Sequence, residues 1–169
     1  MSEKISRGGP RIRYDGVFNW EEMYLLFYKW LKSRKYDFYE TKNTKKTGTW
    51  GFEREYGCHA EREETGYVRH DIDINIHAHH VEDIEIIEGG EKKQVNRVGM
   101  VIIDITPSVI LDWQDRWDKG GLKKARSFFH KYLLEGYARE QLDKVYYDAY
   151  KLHTKLKEFF DLASKYSAY

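Results

Sequence analysis

The chain has one cysteine, Cys58, so it can form no internal disulfide, and a lone thiol suits a reducing compartment. No apolar run exceeds about five residues, the longest lying around Met100–Ile103, too short for a membrane-spanning helix. The first sixteen residues, MSEKISRGGPRIRYDG, contain no apolar segment of the kind a secretory signal needs. A cytoplasmic location is expected on these grounds. Nucleophile and phosphate-binding signatures are missing too: there is no G-x-S-x-G, no P-loop and no G-x-G-x-x-G. No catalytic residue is assigned.

Aromatic residues are plentiful, at 16% of 169 residues, although 34% of the chain is charged. A disordered chain of this polarity would lack them, so a folded domain is expected. Abundant Lys, Glu and Arg beside few Gln and Asn give a thermophile-like composition. The net charge of +1 conceals a segregation. Residues 53–91 hold twelve acids and three bases, a net −9, and the remainder carries +10. Opposed patches of that size can steer a charged partner or favour self-contact.

The stretch Tyr67–Val81 alternates almost strictly. Val68, Ile72, Ile74, Ile76 and Ala78 share one face, and Arg69, Asp71, Asp73, Asn75, His77 and His79 share the other. A period of two over this length predicts a long strand with one buried and one polar face. A preceding strand at about 49–62 shows the same division, with Trp50, Phe52, Tyr56, Cys58 and Ala60 opposite Glu53, Glu55, His59 and Glu61. Glu64-Thr65-Gly66 between them predicts a three-residue hairpin loop. That loop would set Glu61 beside Arg69, His59 beside Asp71, Glu55 beside Asn75 and Glu53 beside His77.

Gly89-Gly90 predicts a further hairpin, from a strand near 82–87 to one over 94–105. Val98–Ile105 is apolar on both faces and reads as a central strand covered on both sides. Thr106-Pro107 interrupts it, and Ser108–Trp117 fits either a short helix or a resumed strand. Asn19 predicts a helix N-cap, with Glu22 in capping-box position and a helix to about Lys35.

The C-terminal third reads as helical. One helix is expected over Leu122–Glu135, ended by Gly136. A second is expected from about Tyr137 to Tyr166, where Ala138, Leu142, Val145, Ala149, Leu152, Leu156, Phe159, Ala163 and Tyr166 alternate by four and three. That is a heptad seam, which packs either inside the chain or on a second molecule. The fold expected is α+β: a long-stranded antiparallel meander with one N-terminal helix and two to three C-terminal helices packed on one face. Residues 1–16 read as a flexible basic arm. Residues 17–169 read as one α+β domain, with the sheet at about 36–105 and the C-terminal helices at about 122–166.

Two alternate histidines on one strand face can chelate a single metal, and a carboxylate from the neighbouring strand can complete a three-ligand set. His77, His79 and Glu53 are those candidates, beside the polar-face residues His59, Asp71, Asp73 and Asn75. A divalent metal is the one cofactor suggested. By strand parity His70 and His80 belong to the buried face, as does Cys58, which reads as an inert buried thiol.

The leading expectation is a non-catalytic self-associating or partner-binding structural protein. It would use acidic Glu82, Glu85 and Glu88, basic Lys119, Lys123, Lys124 and Arg126, and the heptad helix. A metal-binding protein or metal-dependent enzyme using the His-x-His strand is the second expectation. A nucleic-acid-binding module, from basic clusters interleaved with aromatics, is the third.

Overall fold

The structure, a computed structural model, describes residues 2–48, 51–115 and 135–166. Its elements in chain order are β1 (Glu3–Ser6), β2 (Arg11–Phe18), α1 (Trp20–Ser33), β3 (Asp37–Gly48), β4 (Gly51–Glu63), β5 (Val68–Glu88), β6 (Glu91–Leu111) and α2 (Glu135–Tyr166). All pairings are antiparallel, in the order β3-β4-β5-β6, with β1 and β2 pairing to the outer side of β6. Antiparallel sheet dominates, and the described residues contain two helices. The expectation of two to three C-terminal helices is therefore corrected: among the described residues one is present, α2. Most of the segment expected as a separate helix over 122–135 lies outside the described residues. Gly136, expected to stop that helix, lies in the first turn of α2.

The stretch expected as a flexible basic arm contributes two strands, β1 and β2. Ile5 and Ile12 alternate with charged residues and turn inward, Ile12 to 6% exposure. The basic residues between them find partners inside the molecule. Arg11 binds Asp104, Lys4 binds Asp73, and Arg7 pairs with Asp143 while lying 4.5 Å over the Tyr146 ring. The β1–β2 connection runs so close to β6 that a Cβ on Gly9 would lie 1.8 Å from the Ile105 carbonyl oxygen, and only glycine can occupy that position. Pro107 does not interrupt β6. Its carbonyl accepts from Arg7 N, so its nitrogen faces the β1–β2 connection, where no ladder donor is needed.

Asn19 caps α1 as expected, accepting from the backbone N–H groups of Glu21 and Glu22. Gly89 and Gly90 have φ of 61° and 88°, the two-residue turn whose twist suits a hairpin, and Glu88 pairs with Glu91 across it.

Both helices cover one face of the sheet. Ile72, Ile74, Ile76, Val101, Ile103 and Ile105 are buried beneath them. Met100 and Ile102 are only partly shielded on the opposite side, so β6 is central but covered on one face, not two. The seam of α2 packs inside the chain: Val145, Ala149, Leu152 and Leu156 are fully buried. Farther along, Phe160 is buried and Phe159 only partly so, against the heptad pattern. A straight helix drifts about 20° per heptad from a 3.5-residue repeat, which brings Phe160 round to stack on Tyr14 at 4.5 Å.

Candidate functional site

The open face of β4, β5 and β6 carries the polar residues, and the pairing of β4 with β5 decides which of them meet. The faces match as expected, but the register is displaced by two residues. Glu63 faces Arg69, Glu61 faces Asp71, His59 faces Asp73 and Glu55 faces His77. The cause is a wider loop than Glu64-Thr65-Gly66. The Thr65 side-chain oxygen accepts from the N–H groups of Tyr67 and Val68, and the Val68 carbonyl accepts from Glu64 and Thr65. A shift of two keeps every side chain on its face, whereas a shift of one would have reversed them.

Two clusters result, and they differ in kind. In the first, His59 Nδ1 lies 2.6 Å from Asp73 Oδ1, and Lys4 Nζ donates to Asp73 Oδ2 at 3.2 Å. The guanidinium of Arg69 forks onto Asp71 at 2.9 and 3.0 Å and also reaches Glu61 at 3.0 Å. His59, Glu61 and Asp71 have ligand atoms close enough to hold an ion. Arg69 already supplies the positive charge there, bidentately, so this cluster is a closed ion-pair network. Asn75 is exposed, opposite Gly57 and Asp104.

The hydrogen bond to Asp73 is the main reason that the His59 pKa is raised, against the opposing effect of burial. The same contact holds Asp73 below the usual carboxylate range. A raised imidazole contributes stability that is whole below its unfolded value, about pH 6.5, and is lost as pH rises through the folded value. The depressed carboxyl contributes stability that is lost only as pH falls below about 4 through its own folded value. His59→Gln should therefore cost more stability at pH 5.5 than at pH 9. Urea denaturation at both values checks this, and an equal cost at the two would show that the contact is not titrating.

The second cluster contains Glu53, His77 and His79. One ligand atom from each lies within 4.8 Å of the others. His79 Nδ1 is 3.5 Å from Glu53 Oε1, and His77 Nε2 is 4.0 Å from Glu53 Oε2 and 3.8 Å from Glu55 Oε1. The two imidazole rings lie 4.1 Å apart. Glu55 is held by Lys42 and Lys46, whereas His77 Nε2 is buried and has no hydrogen-bond partner. A β-bulge builds this cluster. Arg54 pairs with Ala78 but Phe52 with Val81, so β5 spends one extra residue, and His80 takes φ of 53°. Glu53 thereby faces the bulge rather than one residue. The parity argument that placed His80 in the core fails for the same reason: His80 is exposed, its ring lying over Gly99.

The other expected site residues fall elsewhere. Glu82, Glu85 and Glu88 are exposed and pair with Arg97, Lys92 and Lys93 across their own hairpin. Lys119, Lys123, Lys124 and Arg126 lie outside the described residues. Cys58 is buried, and that burial pushes its thiol pKa well up.

Sequence reasoning missed a polar network under α2. Asp148, 6% exposed, accepts from Arg34 at 2.9 Å, Tyr36 Oη at 3.2 Å and Arg62 at 3.3 Å. Arg62 also meets His70 Nδ1 at 3.0 Å, and His70 Nε2 lies 3.0 Å from Gln141 Oε1. Arginine can only donate, so His70 is neutral, with its proton on Nε2 toward Gln141. Burial, aided by Arg62, lowers its pKa accordingly. Gln141, Val145, Asp148 and Leu152 recur at helical spacing, and that was the available signal: two polar residues on the stripe that packs inward.

The chain matches no family model, no curated protein and no solved structure. No described helix is long and apolar enough to cross a membrane.

Proposed function

We propose that this protein binds a divalent transition-metal ion on the open face of its sheet, through His77, His79 and Glu53. The observation that carries the reading is the buried Nε2 of His77, which lacks a hydrogen-bond partner and lies between carboxylates, with a second imidazole and Glu53 converging on the same point. Two imidazoles and one carboxylate suit zinc or another borderline ion. Tetrahedral bonds of 2.0–2.1 Å set ligand atoms about 3.3 Å apart, so the separations of 3.5 and 4.0 Å to Glu53 need only small side-chain rotations to close. Glu55, with its two lysines, stands beside the ligands and would orient them. Three protein ligands leave a fourth position for water or a bound molecule.

The test is titration of the metal-stripped protein with Zn²⁺ by calorimetry, with Co²⁺ absorption as a report on geometry. One ion per chain is expected. His77→Ala or His79→Ala should weaken binding by more than the ~10–100-fold typical of losing an outer partner. Glu61→Gln, in the cluster closed by Arg69, should leave it unchanged. Absence of stoichiometric binding, or indifference to both histidine substitutions, would overturn the reading.

Self-association or partner binding is the second reading. Its support is β3, an edge strand of 12 residues with no partner on its outer side among the described residues. Lys42, Lys45 and Lys46 line that strand, and charged residues of this kind discourage edge pairing. The charge segregation supports it less than the sequence suggested, since Lys4, Lys42, Lys45 and Lys46 meet residues of the acidic segment within one chain. Mass in solution, measured on the samples used for metal titration, distinguishes the two readings.

A further inference from the structure

A second site lies on the opposite side of the sheet. Between α1 and the β3–β4 hairpin is a cleft of about 340 Å³, within the range of small-molecule sites, walled by Trp20, Tyr24, Leu25 and Tyr56. Arg54 projects into it from the face of β4 that otherwise carries the buried Tyr56, Cys58 and Ala60. Its guanidinium lies 4.3 Å from the centre of the Trp20 ring. Other arginines near the core are neutralised, Arg34 and Arg62 both by Asp148. Arg54 has no carboxylate within ion-pair distance among the described residues.

Past Arg54 and Glu21 the cleft continues into a second cavity of about 450 Å³. The two lysines there are already engaged, Lys93 with Glu22 and Glu88, and Lys92 with Glu85. Among the described residues lining the two cavities, Arg54 is thus the cation without an ion-pair partner, Asp83, Glu21 and Glu40 acting on it only at longer range. Tyr56 is 3% exposed and lines the cleft beside Tyr24, whose hydroxyl donates to Glu40 at 2.9 Å and keeps its lone pairs for the Tyr56 hydroxyl.

We propose that this cleft binds a small organic monocarboxylate with an aromatic or otherwise apolar body. The carboxylate would take the free edge of the Arg54 guanidinium. The body would lie against Tyr24 and Leu25, the latter 46% exposed at the lip. One negative charge is preferred over two because Glu21 and Glu40 line the same cleft, and a single guanidinium cannot offset a dianion beside them. Desolvation lowers the Arg54 pKa, consistent with a cation held in a partly apolar place. This site is independent of the metal reading.

The experiment is ligand-observed NMR and calorimetry on the full chain, with indole-3-acetate and benzoate as probes and indole-3-acetamide and inorganic phosphate as controls. Saturable binding of the carboxylates is expected, at least tenfold tighter than the amide or phosphate. Arg54→Met should weaken it tenfold or more. Arg54→Lys keeps the charge without the fork and guards against a folding defect in Arg54→Met; it should bind at an intermediate level. Equal binding of acid and amide, preference for phosphate, no saturable binding, or binding unaffected by both Arg54 variants would each overturn the proposal.

Discussion

Asp148→Ala should destabilise the protein by about 3 kcal/mol, near the lower end of the range for removing one partner of a buried ion pair. Asp148 is the only carboxylate within ion-pair distance of Arg34 among the described residues, and it takes two donors besides. Its removal leaves the Arg34 guanidinium, 34% exposed, without a carboxylate and the buried Tyr36 hydroxyl without that acceptor, while Arg62 keeps Glu64 at 3.4 Å. Tyr36 is already unfavourable to ionise, chiefly because it is buried. The partial exposure of the two arginines holds the cost at the low end. Urea denaturation at neutral pH measures it. A cost below about 1 kcal/mol would show that this network behaves like a surface ion pair. Asp148→Asn, which keeps shape and one acceptor, should cost less than alanine.

Leu152→Asp should cost more, above about 4 kcal/mol, a large part of the 5–15 kcal/mol that a domain of this size possesses. Leu152 is fully buried in the interface of α2 with the sheet. The substitution loses the burial of a leucine, roughly 1.5–3 kcal/mol, and adds the desolvation of a carboxylate. Because the seam packs within the chain, the loss should not depend on protein concentration. Leu152→Ala, expected at about 2–5 kcal/mol, gives a measurable value should the aspartate variant fail to fold. A folded variant of near-native stability and smaller mass would instead place the seam between molecules.

Periodicity foresaw much of this architecture because it is a local signal. The alternation from Val68 to Ala78 placed the acids and histidines of β5 on one face, and they stay there. Gly89-Gly90 set a turn through backbone freedom that no other residue shares as cheaply. Asn19 announced a helix start by its own side chain. The trio Glu53, His77 and His79 was nameable because His-x-His on a strand projects two imidazoles the same way.

The failures have equally specific causes. The β4–β5 register slipped by two because Thr65 caps a wider loop, and the sequence offers turn residues for either length. His80 was assigned to the core because strict alternation knows nothing of a bulge, which arises from the pairing of two strands. Residues 1–16 looked mobile because their basic residues showed no partners nearby; those partners, Asp73, Asp104 and Asp143, lie 69 to 136 residues away. The network around Asp148 joins the α1–β3 connection, β4 and α2, and no window of sequence contains it.

By itself, then, the sequence determined which segments alternate, which residues share a face, and which side chains could bind an ion, since these follow from chain geometry at short range. Only the tertiary structure decided which acids are already spent. His59, Glu61 and Asp71 are closed by Arg69, while Glu53, His77 and His79 converge with His77 Nε2 lacking a hydrogen-bond partner. The two clusters have similar composition. Their difference is a matter of which cation arrives from a neighbouring strand, and arrival depends on register, bulge and loop length, each set by pairings between distant parts of the chain.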